Sequence, residues 1–505
     1  MLTTRRSGIL LHPTSLAGPQ PIGSLGQEAY DFVDFLVAAG QSVWQMLPLG
    51  PIGYGDCPYS CYSAFAGEPL LISLEQLVKN GDLLEKELPP PAPAGTKSDF
   101  ASATRTHLPL LKRAFQRFST GPDIERLQDY AEFCSKQAFW LNDYAFFQAM
   151  REQRQGQGWQ DWPIELRQRH DSALQEWGIK LHEQIEWHKY LQFAFFEQWF
   201  KLKRYANAQG VQIFGDLPIF VAADSADVWT NRHLFFLDDN DQATLVAGVP
   251  PDYFSKTGQR WGNPLYRWDR MAENGFSWWR ARFIWNLEMF DLIRVDHFRG
   301  FSACWAIRAD EPTAINGEWM PAAGYQLFTA LQNELGDLPI VAEDLGIITA
   351  DVEKLRDHFK LPGMKILQFA FDSGPTNPYL PHNHLPNSVI YTGTHDNNTT
   401  LGWWRSLTVK GQEQVKEYLK RPCRDMPDPL IETALASVAN LAIIPLQDLL
   451  TLDADSRMNQ PGTSTGNWQW RLGRGQLTSE IAVQFRHVSH LYGRVLCIPA
   501  ETQLG

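Results

Sequence analysis

The chain alternates between two kinds of hydrophobic pattern. One is a short, continuous apolar run that gives way to polar residues. Eight such runs recur, at residues 9–11, 43–47, 211–215, 292–295, 339–342, 364–369, 388–391 and 441–446. Continuous apolar stretches of this length fit strands buried on both faces, as in an all-parallel sheet. The other pattern has helical spacing, as in residues 27–39 and 351–359. Strand and helix alternating eight times predict an α/β fold, a closed (β/α)8 TIM barrel. An open, doubly wound sheet is the competing arrangement, but no Gly-rich phosphate fingerprint follows the first strand.

The runs are unevenly spaced, and the gaps place large insertions between strands. The longest gap, from 47 to 211, opens with the stiff proline-rich stretch at 88–93. Long amphipathic helices are expected there, at 124–154 and 174–207. A second gap, at about 222–288, is rich in Gly, Pro and Trp, and a third, at about 397–440, is mostly helical. The expected organisation is one catalytic barrel over 1–505. It carries a helical subdomain at about 66–175, a lid-bearing subdomain at about 222–288 and a helical subdomain at about 397–440. The tail after the eighth run is short, so no separate C-terminal β-domain is expected.

Composition narrows the partners. With 44% hydrophobic and 20% charged residues the chain is globular rather than disordered. A net charge of -12 opposes a nucleic-acid partner. No stretch approaches the roughly 18 apolar residues of a membrane helix, and the apolar start at 9–13 is too short for a signal-peptide core. Neither nucleic acid nor membrane is therefore expected as a partner. The six cysteines, at 57, 61, 134, 304, 423 and 497, show no C-x-x-C spacing. They read as reduced thiols of a cytoplasmic protein, with a plastid stroma open for a mature plant form. Cys57 and Cys61 are close enough for a local bridge, although free thiols are favoured. Nineteen tryptophans lean towards carbohydrate, whose rings stack on aromatic faces, even with most of them in the core. No cofactor and no metal site are expected, and the oligomeric state is left open.

In barrels, catalytic groups sit where strands end and loops begin. Four of the eight runs finish in a carboxylate: Asp216, Asp296, Glu343 and Asp396. Any one of these alone is as readily the N-cap of the next helix. Four on one rim are different, because like charges crowd there without benefit to folding. Arg294 and Asp296 lie two apart on a strand and so project to the same side. A guanidinium beside a carboxylate keeps it ionised, and an ionised carboxylate can attack carbon. Glu343 emerges from the apolar run 339–342, where burial raises an acid's pKa and lets it hold a proton. Its neighbour Asp344 points the other way, and the pattern leaves open which of the two faces the pocket. A charged and a protonated carboxyl are the apparatus of retaining glycoside chemistry, roughly 5–5.5 Å apart. His395 stands beside Asp396 among donors and acceptors suited to sugar hydroxyls, although a lone histidine is more often a satisfied core residue.

The motifs together resemble the amylomaltase, or disproportionating enzyme, family of 4-α-glucanotransferases in the wider α-amylase superfamily. The resemblance covers nearly the whole chain. It is carried by the blocks at 12–16, 44–49, 53–56, 215–221, 248–255, 259–264, 294–300, 342–346, 394–397, 455–459 and 466–468. It implies transfer of α-1,4-glucan segments from a donor to the 4-hydroxyl of an acceptor glucan or glucose. It also implies roles: Asp296 the nucleophile, Glu343 the acid/base, and Asp396 a third acid that binds and distorts the sugar. Arg294, His395, Asp216 and Asn467 would bind that same sugar. Tyr59 and Trp261 would line the donor and acceptor path, with Tyr54 in the N-terminal block at 53–56 and Asp252 in the loop 248–254 that overhangs the cleft. The partners implied are α-1,4-glucans, maltooligosaccharides and glucose. This chain has Cys57 and Cys61 where the family often has Ser, and Glu68 where Asn is common. Two other readings share the residues: an α-amylase-type hydrolase, and a glucan-binding protein without catalysis.

Overall fold

The computed structural model describes residues 3–92, 95–121, 123–251, 255–346 and 348–495. Each of the eight apolar runs forms a strand: β1 (Arg6–Leu10), β2 (Val43–Gln45), β3 (Gln212–Leu217), β4 (Leu292–Val295), β5 (Ile340–Ala342), β6 (Gly363–Ile366), β7 (Ser388–Tyr391) and β8 (Leu441–Pro445). They form one parallel sheet in the order β6-β7-β8-β1-β2-β3-β4-β5. The two ends of that order meet, because the Ala342 N–H donates to the Pro362 carbonyl at 2.9 Å. The result is a (β/α)8 barrel. Strands β2, β4, β5, β7 and β8 are buried at every residue, which explains why they are mostly apolar, with Gln45, Arg294 and Ser388 as the polar exceptions.

Between β2 and β3 stand the helices Phe100–Thr120, Ile124–Lys136, Ala138–Gln153, Asp171–Lys180 and His182–Ala208. The helical stretches expected at 124–154 and 174–207 each break into two, at Gln137 and Leu181. Phe133 of the first helix and Trp140 of the second both meet the aromatic face of His182–Ala208, at Phe193 and Phe196.

A second sheet was not expected from the sequence. Its four antiparallel strands run in the order Gln259–Pro264, Leu245–Val249, Ala303–Arg308, Gly317–Pro321. Two of them come from beyond the gap at about 222–288, after β4. Gln259–Pro264 and Gly317–Pro321 are half-exposed and include Gly, Pro and Trp, whereas Leu245–Val249 and Ala303–Arg308 are apolar but are not followed by a helix. After β8 the described chain is mostly loop up to the helix Ser479–Leu491, which packs on the helix Gln27–Ala38.

Candidate active site

β3, β4 and β5 lie side by side, and their C-terminal ends carry the first three acids. Asp216 and Arg294 are register partners on β3 and β4. The period-2 rule then places Arg294 and Asp296 on one side. Arg294 Nη1 donates to both Asp216 oxygens, at 2.8 and 2.6 Å, and Nη2 donates to Asp296 Oδ1 at 2.7 Å. The Tyr59 hydroxyl donates to Asp216 Oδ2 at 2.7 Å. Gly215 lets this happen: a Cβ there would lie 2.3 Å from the Phe290 ring packed against β3. The two acids on the guanidinium differ in access. The Asp216 side chain is 0% exposed and that of Asp296 is 28% exposed, so only Asp296 is open to the cleft.

Glu343 follows β5 directly. Its Oε2 accepts the His297 N–H at 2.6 Å and its Oε1 accepts the Leu345 N–H at 3.1 Å. His297 is left-handed, with φ 48°, and this turn after Asp296 aims its amide at Glu343. Asp344 points away. It pairs with Arg356 and accepts the Met364 N–H at 2.7 Å. The choice that the sequence left open is thus made: Glu343 faces the site. Burial pushes Glu343 up to about 8. The Arg294 charge opposes this, the Asp296 charge adds to it, and the two amides pull down. Asp216 is also pushed up by burial, against Arg294 and the Tyr59 hydroxyl. Arg294 is buried too, but its carboxylate neighbours hold it well above the usual guanidinium range, so it stays charged.

Asp396 comes from the loop after β7. Its Oδ1 accepts Asn459 Nδ2 at 2.6 Å and lies 3.4 Å from His395 Nε2, and its backbone carbonyl accepts Arg457 Nη2 at 2.5 Å. The Tyr59 ring stacks on His395, with centroids 5.2 Å apart, and Trp468 flanks both rings. Tyr59 thereby joins the β3 acid to the β7 loop. Burial lowers the His395 pKa, so its ring is held neutral. Trp261, 39% exposed, meets His297 edge-on at 4.8 Å and stands next to the Asp296 turn.

The structure therefore brings together Asp216, Arg294, Asp296, Glu343, Tyr59, His395 and Asp396, with Trp261 at the margin. Asn467 is placed differently. Its amide accepts from the Gln460 N–H at 2.9 Å and donates to the Thr463 carbonyl at 3.0 Å, closing its own loop. Asp252 and the Tyr54 side chain lie outside the described residues. Asn459, Arg457 and Trp468 were given no role in the sequence reading, although they stand in the blocks 455–459 and 466–468. Nothing in a loop so far past β8 announces that it folds back onto the β7 end. No group of three or more His, Cys, Asp or Glu able to hold a metal ion occurs among the described residues. Five cysteines are free thiols, Cys57 and Cys61 among them, and Cys497 lies outside the described residues. No helix among the described residues is long and apolar enough to cross a membrane.

A closed barrel whose C-terminal rim gathers four acids, two of them on one buried arginine, is the architecture of a glycoside-processing enzyme. The chain belongs to the 4-alpha-glucanotransferase family, glycoside hydrolase family 77, whose model matches residues 11–477. The 4-alpha-glucanotransferase of Synechocystis sp. is 50% identical over 500 residues, covering 98% of this chain and 99% of the relative. That of Thermus thermophilus is 48% identical, covering 97% and 99%. Among solved structures, the amylomaltase of Streptococcus agalactiae in complex with acarbose superposes with a TM-score of 0.94. It shares 40% identity over 97% of this chain and 100% of that one.

Proposed function

We propose that this chain transfers α-1,4-glucan segments by a retaining double displacement at Asp296 and Glu343. One observation carries the assignment. Glu343 is buried and held protonated near neutrality, while Asp296, open to the cleft, is paired with Arg294. The two follow directly on Val295 and Ala342, register partners on neighbouring strands. Adjacent strands run roughly 4.8 Å apart, close to the roughly 5–5.5 Å that a retaining pair needs.

In the first half-reaction an Asp296 oxygen attacks the anomeric carbon of the donor. Glu343 gives its proton to the departing glycosidic oxygen, which leaves as the 4-hydroxyl of the released segment. The remaining segment is now a glycosyl ester of Asp296. In the second half, ionised Glu343 takes the proton of an acceptor's 4-hydroxyl, whose oxygen attacks the same carbon and frees Asp296. Two inversions retain the α-configuration. Asp396 and His395 hold the hydroxyls of the reacting sugar, and Arg294 holds Asp216 and Asp296 in place. Tyr54 and Asp252 bind the glucan further along, while the Asn467 amide is taken up by its own loop. Donors and acceptors are α-1,4-glucans, maltooligosaccharides and glucose.

Transfer rather than hydrolysis requires that water be kept from the ester and an acceptor held in line. Trp261, against the His297 ring beside the Asp296 turn, is suited to that. A cytoplasmic setting fits the free thiols. The test is incubation with maltotriose: glucose and oligomers longer than the donor appear together. Glucose and maltose without any longer product would refute transfer.

A further inference from the structure

Asp448 lies just past β8, in the short helix Leu446–Leu449, and is not one of the rim acids. It is 1% exposed. Its Oδ2 accepts the hydroxyls of Thr392 and Thr400, both at 2.6 Å, and its Oδ1 accepts the Thr400 N–H at 2.7 Å. No basic side chain among the described residues lies within ion-pair distance of it. Thr392 follows β7 directly, and Thr400 opens the helix Thr400–Ser406. Between them runs the loop that carries His395 and Asp396. One buried carboxylate therefore ties down both ends of that loop.

The loop needs such a tie. A cavity of about 30 Å³ lies against it, lined by His12, Thr394, His395 and Asn397 along with Asp448 itself, so the loop is not packed solidly along its length. Packing alone does not set its height. Burying an ion without a cation costs several kcal/mol, and a neutral cap would close the helix start at less cost. What a carboxylate adds is several short, charge-assisted bonds from one rigid point.

We propose that Asp448 is a positioning residue for the reaction: it fixes residues 392–400 so that His395 and Asp396 meet the sugar at the cleaved bond. This rests on the role given to Asp396 above. Asp448 touches no substrate and acts only through the loop.

The test is steady-state disproportionation of maltotriose by the full chain. Asp448→Asn keeps the shape and loses the charge, and Thr400→Val removes one hydroxyl at equal volume. Each should lower kcat about tenfold or more while KM moves less than about threefold, since misplacement costs transition-state contacts first. Thr400→Ser, which restores the hydroxyl, should return most of kcat. In an Asp396→Asn background, Asp448→Asn should lower the residual rate clearly less than it lowers the parent's, because one of the two groups it positions is already gone. Equal losses in both backgrounds, or parental kcat in both folded clasp variants, would overturn the proposal alone. Parental activity in Asp396→Asn would overturn the reading of Asp396 and this proposal with it. Should Asp448→Asn fail to fold, Thr400→Val and Thr400→Ser decide the question.

Discussion

The two ends of the barrel each bury an arginine, and the two arginines do opposite things. Arg294, at the C-terminal rim, faces two carboxylates at 2.6–2.8 Å. Arg494, at the N-terminal end, is 0% exposed and faces only backbone carbonyls, those of Arg6, Ala434, Leu435, Ser437, Ala439 and Asn440. Burial and the nearby Arg5 pull Arg494 down to about 9, whereas acid neighbours push Arg294 the other way. One guanidinium organises charge where a substrate enters. The other stitches β1 and the approach to β8 to the end of the helix Asp428–Ala436. A barrel can separate the two duties because its loops on one face vary independently of the face that closes it.

The largest effect is expected where the rim opens to the cleft. Asp296→Ala should lower kcat by about 10⁴-fold or more, as loss of a nucleophile does. Its far-ultraviolet spectrum and thermal midpoint should stay near the parent's, since the Asp296 side chain is partly exposed. Turnover within about tenfold of the parent would remove Asp296 from the mechanism. Arg294→Met comes next and should damage both activity and stability. It strands Asp216 in a fully buried position without a cation, a loss of about 3–5 kcal/mol for a broken buried pair. Unfolding at the parental temperature would show that the arginine serves only the chemistry.

How much of this was legible beforehand follows from which periodicities were local. All eight strands could be read because each holds a short, mostly apolar run that is buried. Arg294 and Asp296 could be read because their spacing fixes their side. The Glu343/Asp344 choice could not, since a strand gives alternation but not its phase, and only the turn at His297 sets that phase. The antiparallel sheet was invisible because its two outer strands are half-exposed and its two inner ones pair across β4 from separated segments. The loop carrying Arg457 and Asn459 was seen as motif without function. Its reach back to Asp396, across more than 60 residues, is a tertiary fact. Arg494 gave no signal, since a lone arginine near a chain end reads as surface.

Arg494→Met tests the other half of the comparison. It takes one donor from each of six buried carbonyls, four of which keep another from Arg5, the Arg6 N–H or the Ser437 N–H, so about 3 kcal/mol of stability should be lost. The kcat at 25 °C should stay within about twofold of the parent, because nothing at the rim touches that end. A large fall in kcat for a variant still folded would mean that the two ends are coupled, and the division of duties would have to be given up.

The smallest effect separates the carboxyls themselves. Glu343 must carry a proton to release the leaving segment, and burial holds its pKa at about 8. Raising the pH through that value removes the proton, so kcat/KM should be level near neutrality and then fall about tenfold per pH unit above about 8. Arg294 lowers this pKa, so in whatever activity Arg294→Met retains, the fall should begin at higher pH. Stability carries the matching sign. A carboxyl whose folded pKa exceeds its unfolded value contributes most below the unfolded value and loses that contribution as pH rises through the folded one. Glu343→Gln stays neutral throughout, so at pH 8 it should unfold at a higher temperature than the parent while being nearly inactive. At pH 4, where Glu343 is largely protonated in both states, the difference should vanish. A stability difference that did not change between the two pH values would show that burial is not what holds the proton on Glu343.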